Sequence, residues 1–228
     1  MSGLDFSIVF SNLHYLIVEG LGLTLQLTVV CACTGLAIGT LLALIRLFGP
    51  GWAGLIVSLW VSLCRSIPLI LVVFWVYFLS PYVLAWMTNA DAPVQISAVK
   101  SAFVTFTLFE ACYYCEIVRA GILAVPRAQS AAARALGLSE IQVLIKVVIP
   151  QAFRSVAPIL ILQAIVLFQD VSLVYVLSLT DFLGAATQLG QQQNRLVETY
   201  LFVAIVYFLI CLVSTRGVHR LPKHLSHA

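Results

Sequence analysis

The run GLGLTLQLTVVCACTGLAIGTLLALI occupies residues 20–45 and contains no charged side chain, and Arg46 ends it. A helix rises about 1.5 Å per residue, so a helix of this length crosses a hydrocarbon core of about 30 Å with some tilt. Gly35 and Gly39 form a small-xxx-small pair that lets another helix approach closely. The run therefore predicts a transmembrane helix over residues 20–46.

The composition of the whole chain agrees with this first run. Of its 228 residues 62% are hydrophobic and only 9% are charged, whereas a soluble domain carries roughly 25% charged residues. This composition favours an integral membrane protein. We predict an all-α fold, with residues 1–228 forming a single transmembrane domain of about five spans at 20–46, 53–87, 98–118, 155–179 and 197–215.

The second of these runs is expected to be broken. Residues 53–87 are too many for one straight span, and they contain Arg65 and Pro68. Residues 53–64 alone are too few to cross a bilayer, so we interpret them as a helix near the cytoplasmic face that precedes a span over 68–87. A sixth span over 53–64 would move the N-terminus inside, but the lack of basic residues in the N-terminal segment favours five.

The distribution of basic residues predicts the orientation. With five spans and the N-terminus outside, only Lys100 and Arg195 remain outside. The cytoplasmic side then receives Arg46, Arg65, Arg119, Arg127, Arg134, Lys146, Arg154, Arg216, Arg220 and Lys223. Cytoplasmic loops carry such an excess of basic residues. The six cysteines lie in or beside apolar stretches, which suggests neither a disulfide framework nor a metal site.

The loop between the third and fourth spans, residues 119–154, has a predicted helix of its own. Pro126 suits the start of a helix, residues 127–136 (RAQSAAARAL) are almost all good helix formers, and Gly137 suits the position that ends it. An alanine-rich helix buries little area per residue, so its surface could fit a groove on another protein. A helix pair resting on lipid headgroups is the alternative.

A second helix is expected to follow in the same loop. Ser139 and Gln142 have the spacing of a capping box, in which each side chain bonds to the other residue's backbone. We expect Pro150 to interrupt this helix before the next span begins.

This loop resembles the EAA loop of ABC importer membrane subunits. That pattern has Glu-Ala-Ala, a Gly four residues after the second Ala, and an Ile-x-Leu-Pro end. The matching residues are Ala131, Ala132, Ala133, Gly137, Val147, Val148, Ile149 and Pro150. Ala131 stands where the family usually has Glu, so we expect the polar contact of that Glu to fall to Arg134 or Gln129.

Other segments extend the resemblance over most of the chain. They are CRSIPL at 64–69, EIVRAGI at 116–122, PQAFR at 150–154 and VLFQDVSLVYVLSLTDF at 166–182. Together they are similar to the permease subunits of polar amino-acid ABC importers, and most similar to those of glutamate/aspartate importers.

The resemblance implies a non-catalytic translocation subunit of the bacterial plasma membrane that carries polar L-amino acids. This chain would bind no cofactor, with ATP and Mg held by a partner ATPase, and the sequence agrees because it has no GxxxxGK[ST] phosphate loop. The implied partners are a second, related permease subunit, two ATPase subunits, an extracytoplasmic solute-binding protein and lipid, with no nucleic acid. The implied coupling residues are Arg127, Gln129, Ala131, Ala132, Ala133, Arg134, Gly137 and Pro150.

Polar residues inside the spans are the candidates for a solute path, because an ionisable group at membrane depth is costly. Glu110, Tyr113 and Tyr114 lie within one helical turn, and Gln163 and Asp170 are seven residues apart on one face. Arg65 is the only basic candidate. The predicted path residues are Arg65, Glu110, Tyr114, Gln163 and Asp170.

Several interpretations of these residues stay open. Glu110 could line the path or make a helix–helix hydrogen bond. Asp170 could line the path, cap a helix break near Gln169, or lie at the outer interface. Glu116 and Arg119 have the spacing of an ion pair at the inner boundary.

The substrate also has alternatives. An acidic amino acid in transit needs cations or helix N-termini, yet the spans contain mainly acidic charges. An importer for glutamine, asparagine or histidine is therefore an alternative. A proton-coupled secondary transporter is another, although such a protein is expected to show repeated halves and no repeat is evident.

Overall fold

The computed structural model describes residues 4–225, without the side chains of 219 and 221–225. The charged side chain of Lys223, predicted to be cytoplasmic, is therefore not among the described side chains. Every regular element in the described part is helical, which confirms the all-α prediction. The α-helices are α1 Ser7–Ser11, α2 Gly22–Phe48, α3 Gly51–Ser66, α4 Leu69–Thr88, α5 Ala98–Ala124, α6 Arg127–Ala135, α7 Glu140–Val143, α8 Ile149–Asp170, α9 Phe182–Gln192 and α10 Leu196–Leu225.

Three short elements of other helical types join these α-helices. A π-helical turn, Tyr15–Leu21, leads directly into α2. A second π-helical turn, Leu144–Val148, connects α7 to α8. A 3-10 helix, Val171–Leu177, continues α8 beyond Asp170. The chain therefore stays helical from Glu140 to Leu177.

Five helices in the described part are long and apolar enough to cross a membrane, as predicted. They are Tyr15–Phe48, Leu69–Thr88, Ala98–Ala124, Glu140–Leu177 and Leu196–Val218. Helix α3 has 16 residues and is not among them. The chain breaks between α3 and α4 at Pro68, whose ψ of 130° is extended, so the predicted interruption of 53–87 is confirmed.

The prediction that Pro150 interrupts a helix was wrong. Pro150 is the second residue of α8, and the helix passes through it without a break. A proline has no N–H to donate and crowds the carbonyl group four residues earlier. The π-helical turn Leu144–Val148 ends directly before α8, so the wider i→i+5 hydrogen-bond spacing occurs where the proline crowds the helix.

The chain forms two compact units that interleave along the sequence. The first unit contains the residues up to 33, 67–107 and 164–215. The second unit contains 34–66, 108–163 and the residues from 216.

In the first unit, two apolar clusters form the core. One contains Leu16, Phe168 and Phe182, and the other contains Val73 and Phe106, all of them buried. A closely packed apolar interior of this kind fixes the positions of the polar groups enclosed in it.

Asp181 is the most deeply enclosed acidic residue of the first unit, with no exposed surface. Its carboxylate caps the N-terminus of α9 by accepting hydrogen bonds from the N–H groups of Leu183 and Gly184, at 3.2 and 3.1 Å. Thr24 caps the same turn through its hydroxyl, which accepts from the N–H of Phe182 at 3.0 Å. Burial raises the pKa of Asp181 to about 7, against the lowering effect of these hydrogen bonds.

The second unit holds α6 against the spans. Its core contains Val61, Tyr114, Val118 and Val156, and Ala133 of α6 is buried in the same cluster. Gly39 lets α2 and α5 approach closely, because a Cβ atom there would lie 2.7 Å from the carbonyl oxygen of Ala111. This agrees with the close approach predicted from the glycine spacing.

We expect Asp181→Asn to stabilise the protein increasingly as the pH rises from 4 to 7. The folded pKa of about 7 lies above the reference value of 3.8, so the wild-type protein loses stability as the pH rises between these two values. Asparagine cannot ionise, and it keeps one of the two cap hydrogen bonds, because its amide oxygen accepts whereas its amide nitrogen only donates. At pH 8 the thermal midpoint of the variant in detergent should be higher than that of the wild type by roughly 4 °C or more.

The control for this prediction is Asp91→Asn, which removes the same charge from an exposed loop. A difference between Asp181→Asn and the wild type that does not change with pH would contradict the prediction.

Candidate functional site

The predicted loop helix is present as α6, bounded by a proline and a glycine. Pro126 precedes it with an extended ψ of 131°, and Gly137 follows with φ +86°. A Cβ atom on Gly137 would meet nothing within 4 Å, so the backbone conformation rather than lack of space calls for glycine. The helix boundaries are confirmed, and the coupling role of its residues stays a prediction.

Polar contacts close the end of α6. The N–H of Gly137 donates to the carbonyl of Arg134 at 2.9 Å, and the N–H of Leu138 donates to that of Ala133 at 3.2 Å. The Arg134 guanidinium pairs with Glu140, with Nε–Oε1 2.6 Å and Nη2–Oε2 3.0 Å. Arg134 and Gln129 were the two residues predicted to replace the polar contact of the motif Glu. Of these, Arg134 is already paired with Glu140 within the loop.

The other face of α6 is exposed. Arg127, Gln129, Ala131 and Ala132 all lie on the surface. Leu136 is 82% exposed and lies immediately after the helix. The loop therefore presents a smooth surface whose inner side is anchored by Ala133.

The predicted capping box opens the second helix of the loop. Ser139 Oγ accepts from the N–H of Gln142 at 3.4 Å, and Gln142 Oε1 accepts from the N–H of Ser139 at 3.0 Å. This reciprocal pair fixes where α7 starts and therefore where the fourth spanning helix begins.

Glu110 and Gln163 meet inside the second unit. Gln163 Nε2 donates to both carboxylate oxygens of Glu110, at 3.2 and 3.3 Å, and Glu110 is only 1% exposed. The contact joins α5 to α8. Both residues were predicted path candidates, but helical spacing placed Gln163 with Asp170. Such spacing shows which residues share one face of a helix, and it does not show which other helix that face contacts.

Two other predicted path residues also lie in the second unit. Tyr114 is buried in its core. Arg65, at the end of α3, places its guanidinium carbon 5.3 Å from the centre of the Tyr113 ring, a cation–π contact. Arg65 therefore lies beside α5, although more than forty residues separate the two partners in sequence.

Asp170 belongs to the first unit, whereas the other predicted path residues belong to the second. It is the last residue of α8, where the α-helix changes to the 3-10 helix Val171–Leu177. This position favours the interpretation of Asp170 as a residue at a helix irregularity near Gln169.

A cluster of three charged residues in the second unit extends the predicted pair of Glu116 and Arg119. Glu116 Oε2 accepts from Arg119 Nε at 2.9 Å and lies 2.8 Å from its Nη2. Glu116 Oε1 accepts from Nη1 of Arg46, in the last turn of α2. The sequence contains no spacing signal for Arg46, which is seventy residues from Glu116.

A cavity of about 590 Å³ opens beside this cluster, entirely within the second unit. Small side chains of α5 and α8 leave the space, and Gly121 allows the two helices to cross closely, since a Cβ there would lie 2.6 Å from Val156 Cγ1. The polar and small lining residues are Arg65, Glu116, Ala120, Gly121, Ala124 and Ser155.

The chain is similar to known proteins over nearly its whole length. The profile of the protein family described as "Binding-protein-dependent transport system inner membrane component" matches residues 35–227. The chain is 42% identical to the glutamate/aspartate import permease protein GltK of Escherichia coli O6:H1, covering 97% of this chain and 98% of that protein. It is 33% identical to the arginine transport system permease protein ArtQ of Bacillus subtilis, covering 93% of each.

Solved structures share the fold. A crystal structure of an amino acid ABC transporter with histidines superposes with a TM-score of 0.85 at 25% identity, covering 97% of this chain and 99% of that chain. The MetNI methionine ABC transporter in an inward-facing conformation superposes with a TM-score of 0.65 at 23% identity, covering 92% and 97%. At 23% identity, the similarity to the methionine transporter shows a shared fold alone.

We expect Glu110 and Gln163 to be energetically coupled. The variants Glu110→Ala and Gln163→Ala and their double variant form a double-mutant cycle, measured by thermal or denaturant unfolding in detergent. Because each single change removes the same buried contact, the double variant should be less destabilised than the sum of the single variants, by about 0.5–3 kcal/mol.

The control cycle pairs Glu110→Ala with Gln151→Ala. Gln151 is twelve residues before Gln163 on α8, or about 18 Å along the helix, so these effects should add. Additive effects in the Glu110–Gln163 cycle would show that the hydrogen bonds contribute no stability.

Proposed function

This chain belongs to the family of inner membrane components of binding-protein-dependent transport systems, and from that membership we propose that it is the permease subunit of an ABC importer for polar L-amino acids. Glutamate and aspartate are the proposed substrates. The observation that carries this proposal is the 42% identity to a glutamate/aspartate import permease over 97% of the chain.

Other polar amino acids form the second candidate. The similarity to an arginine transport permease, at 33% identity, shows that close sequence likeness in this group extends to proteins named for a different substrate. Glutamine, asparagine and histidine therefore belong in the same test as the acidic amino acids.

The proposed energy source is ATP hydrolysed by a separate subunit. The 228 residues contain no GxxxxGK[ST] motif, and none of the three lysines follows a glycine. ATP and Mg would bind to that ATPase, and this chain would bind no cofactor. Its own contribution is then mechanical rather than catalytic.

We place the contact with the ATPase on α6. The helix is confined between Pro126 and Gly137, and Ala133 is buried in the core of the second unit. A push on its exposed face would therefore be transmitted to the packed spans. The proposed coupling residues are Arg127, Gln129, Ala131, Ala132, Ala133, Arg134, Gly137 and Pro150.

The proposed assembly contains two related permease subunits, two ATPase subunits and an extracytoplasmic solute-binding protein. We propose that residues 1–228 act as one transmembrane domain of the bacterial inner membrane, with the N-terminus outside and the C-terminus in the cytoplasm. Arg46 and Arg65, in the last turns of α2 and α3, support this orientation through the excess of basic residues expected inside.

The proposed solute path involves the polar residues of the spans. Arg65, Glu110, Tyr114 and Gln163 lie in one compact unit, which supports a shared role, and Asp170 at the helix transition is the candidate in the other. The hydrogen bonds between Gln163 and Glu110 favour a role for this pair in holding α5 and α8 together beside the path.

ATP-dependent uptake tests the proposed function. The chain is reconstituted in liposomes with its partner permease and ATPase, with binding protein outside and ATP inside. We expect labelled glutamate and aspartate to accumulate only when both ATP and binding protein are present, in preference to glutamine, asparagine, histidine and arginine. Accumulation driven by a proton gradient without ATP would instead favour a secondary transporter.

A Gly137→Val variant tests the coupling role of α6. A β-branched residue is strained at φ +86°, so the end of α6 should lose its fixed geometry and ATP-driven uptake should fall several-fold. Membrane insertion should persist, because the strained residue lies in an exposed turn outside the five helices that could cross a membrane. The measurement is uptake in the reconstituted assay.

The matched control is Gly51→Val, at the start of α3, where a Cβ also meets nothing within 4 Å and φ is not positive. Normal uptake by Gly137→Val would exclude the requirement for a fixed helix end.

A further inference from the structure

The cavity beside Glu116 belongs to a group of side chains that carries more positive than negative charge. Arg65 and Glu116 line it, and Glu116 is paired with both Arg46 and Arg119. Three guanidinium groups and one carboxylate leave a formal charge of two positive. Arg65 was the only basic residue predicted from the sequence to lie near the path. The fold also brings Arg46 and Arg119 close to the cavity, through their pairing with Glu116.

Arg65 is the exposed member of this group, and it lines the cavity. Its only described charge-related contact is the Tyr113 ring at 5.3 Å, and no ion pair includes it among the described residues. A ring face satisfies a guanidinium less well than an anionic oxygen, with which Arg forms charge-assisted and bidentate hydrogen bonds. The Arg65 side chain is therefore available for an anionic oxygen group.

The two other arginines are held differently. Each oxygen of Glu116 accepts from a separate guanidinium, Oε1 from Arg46 and Oε2 from Arg119. All three side chains of this cluster are only 20–29% exposed. Glu116 thus fixes the two cations and reduces their charge without cancelling it.

The cavity also has the volume of a small-molecule site. Its volume of about 590 Å³ falls within the usual range for ligand pockets. Ala120, Gly121 and Ala124 occupy one face of α5 and leave the space that larger side chains would fill.

We infer that this cavity is a carboxylate-binding station for the transported amino acid, in which Arg65 contacts the carboxylate and Glu116 positions Arg46 and Arg119 beside it. The inference rests on the proposed function and deepens it by naming the group that meets an acidic substrate. A path site must attract its ligand and still release it. The partial neutralisation by Glu116 serves release, and the unpaired Arg65 serves attraction.

The test compares Arg65→Gln and Arg65→Lys with the wild type in the complete reconstituted complex. Glutamate uptake and ATP hydrolysis are measured on the same samples. Arg65→Gln should lower the glutamate taken up per ATP roughly tenfold, the loss expected for one hydrogen-bonded charge, while stimulation of ATP hydrolysis by the binding protein persists. Arg65→Lys should recover part of the ratio, because it keeps the charge but not the planar fork.

The matched control is Arg216→Gln, an exposed residue of the same unit that is not part of the cavity lining. It should leave the ratio unchanged. If the wild-type complex takes up glutamate and Arg65→Gln gives the same amount of glutamate per ATP, the inference is overturned and the proposed function stands. A ratio in Arg65→Lys as low as in Arg65→Gln would also overturn it, since charge would then not matter. No uptake by the wild-type complex would instead overturn the proposed function.

A lipid phosphate is the other source of the same anionic chemistry, and lipid composition distinguishes it. The measurements are repeated in vesicles of phosphatidylcholine alone and of phosphatidylcholine with phosphatidylglycerol. An equal effect of Arg65→Gln in both supports the substrate carboxylate. An effect seen only with the anionic lipid would assign Arg65 to a headgroup and overturn the inference.

Discussion

A hydrocarbon core offers no partner to a backbone N–H or C=O group, so each spanning segment must satisfy these groups within itself. The rest of the structure depends on this constraint. It explains why every regular element in the described part of the chain is helical. Pro81 and Pro158 lie in helix interiors, which membrane helices tolerate because neighbouring groups satisfy the freed backbone carbonyls.

The same apolar surroundings make each charge inside the protein costly unless it is paired or useful. Glu116 is satisfied by two guanidinium groups, and Glu110 accepts from Gln163. Arg65 has only an aromatic ring among its described contacts. Within this one compact unit, the two glutamates are thus paired and largely enclosed, whereas Arg65 is exposed.

The loop that carries the family resemblance is built from strictly local signals. Pro126, Gly137 and the Ser139–Gln142 capping box each act over at most four residues. Such signals can be recognised in a sequence, and all of them appear in the structure as predicted. The exception is Pro150, for which the local rule gave the wrong result, since the helix continues through it directly after the π-helical turn.

The sequence by itself determined the class of the fold, the five spanning helices and the boundaries of α6, because these depend on composition, length and short-range backbone preferences. Only the tertiary structure decided that Gln163 meets Glu110 and that Arg46 meets Glu116. These partners are 53 and 70 residues apart. Helical periodicity specifies which side of a helix a residue occupies, whereas the neighbour on that side is chosen by how the helices pack.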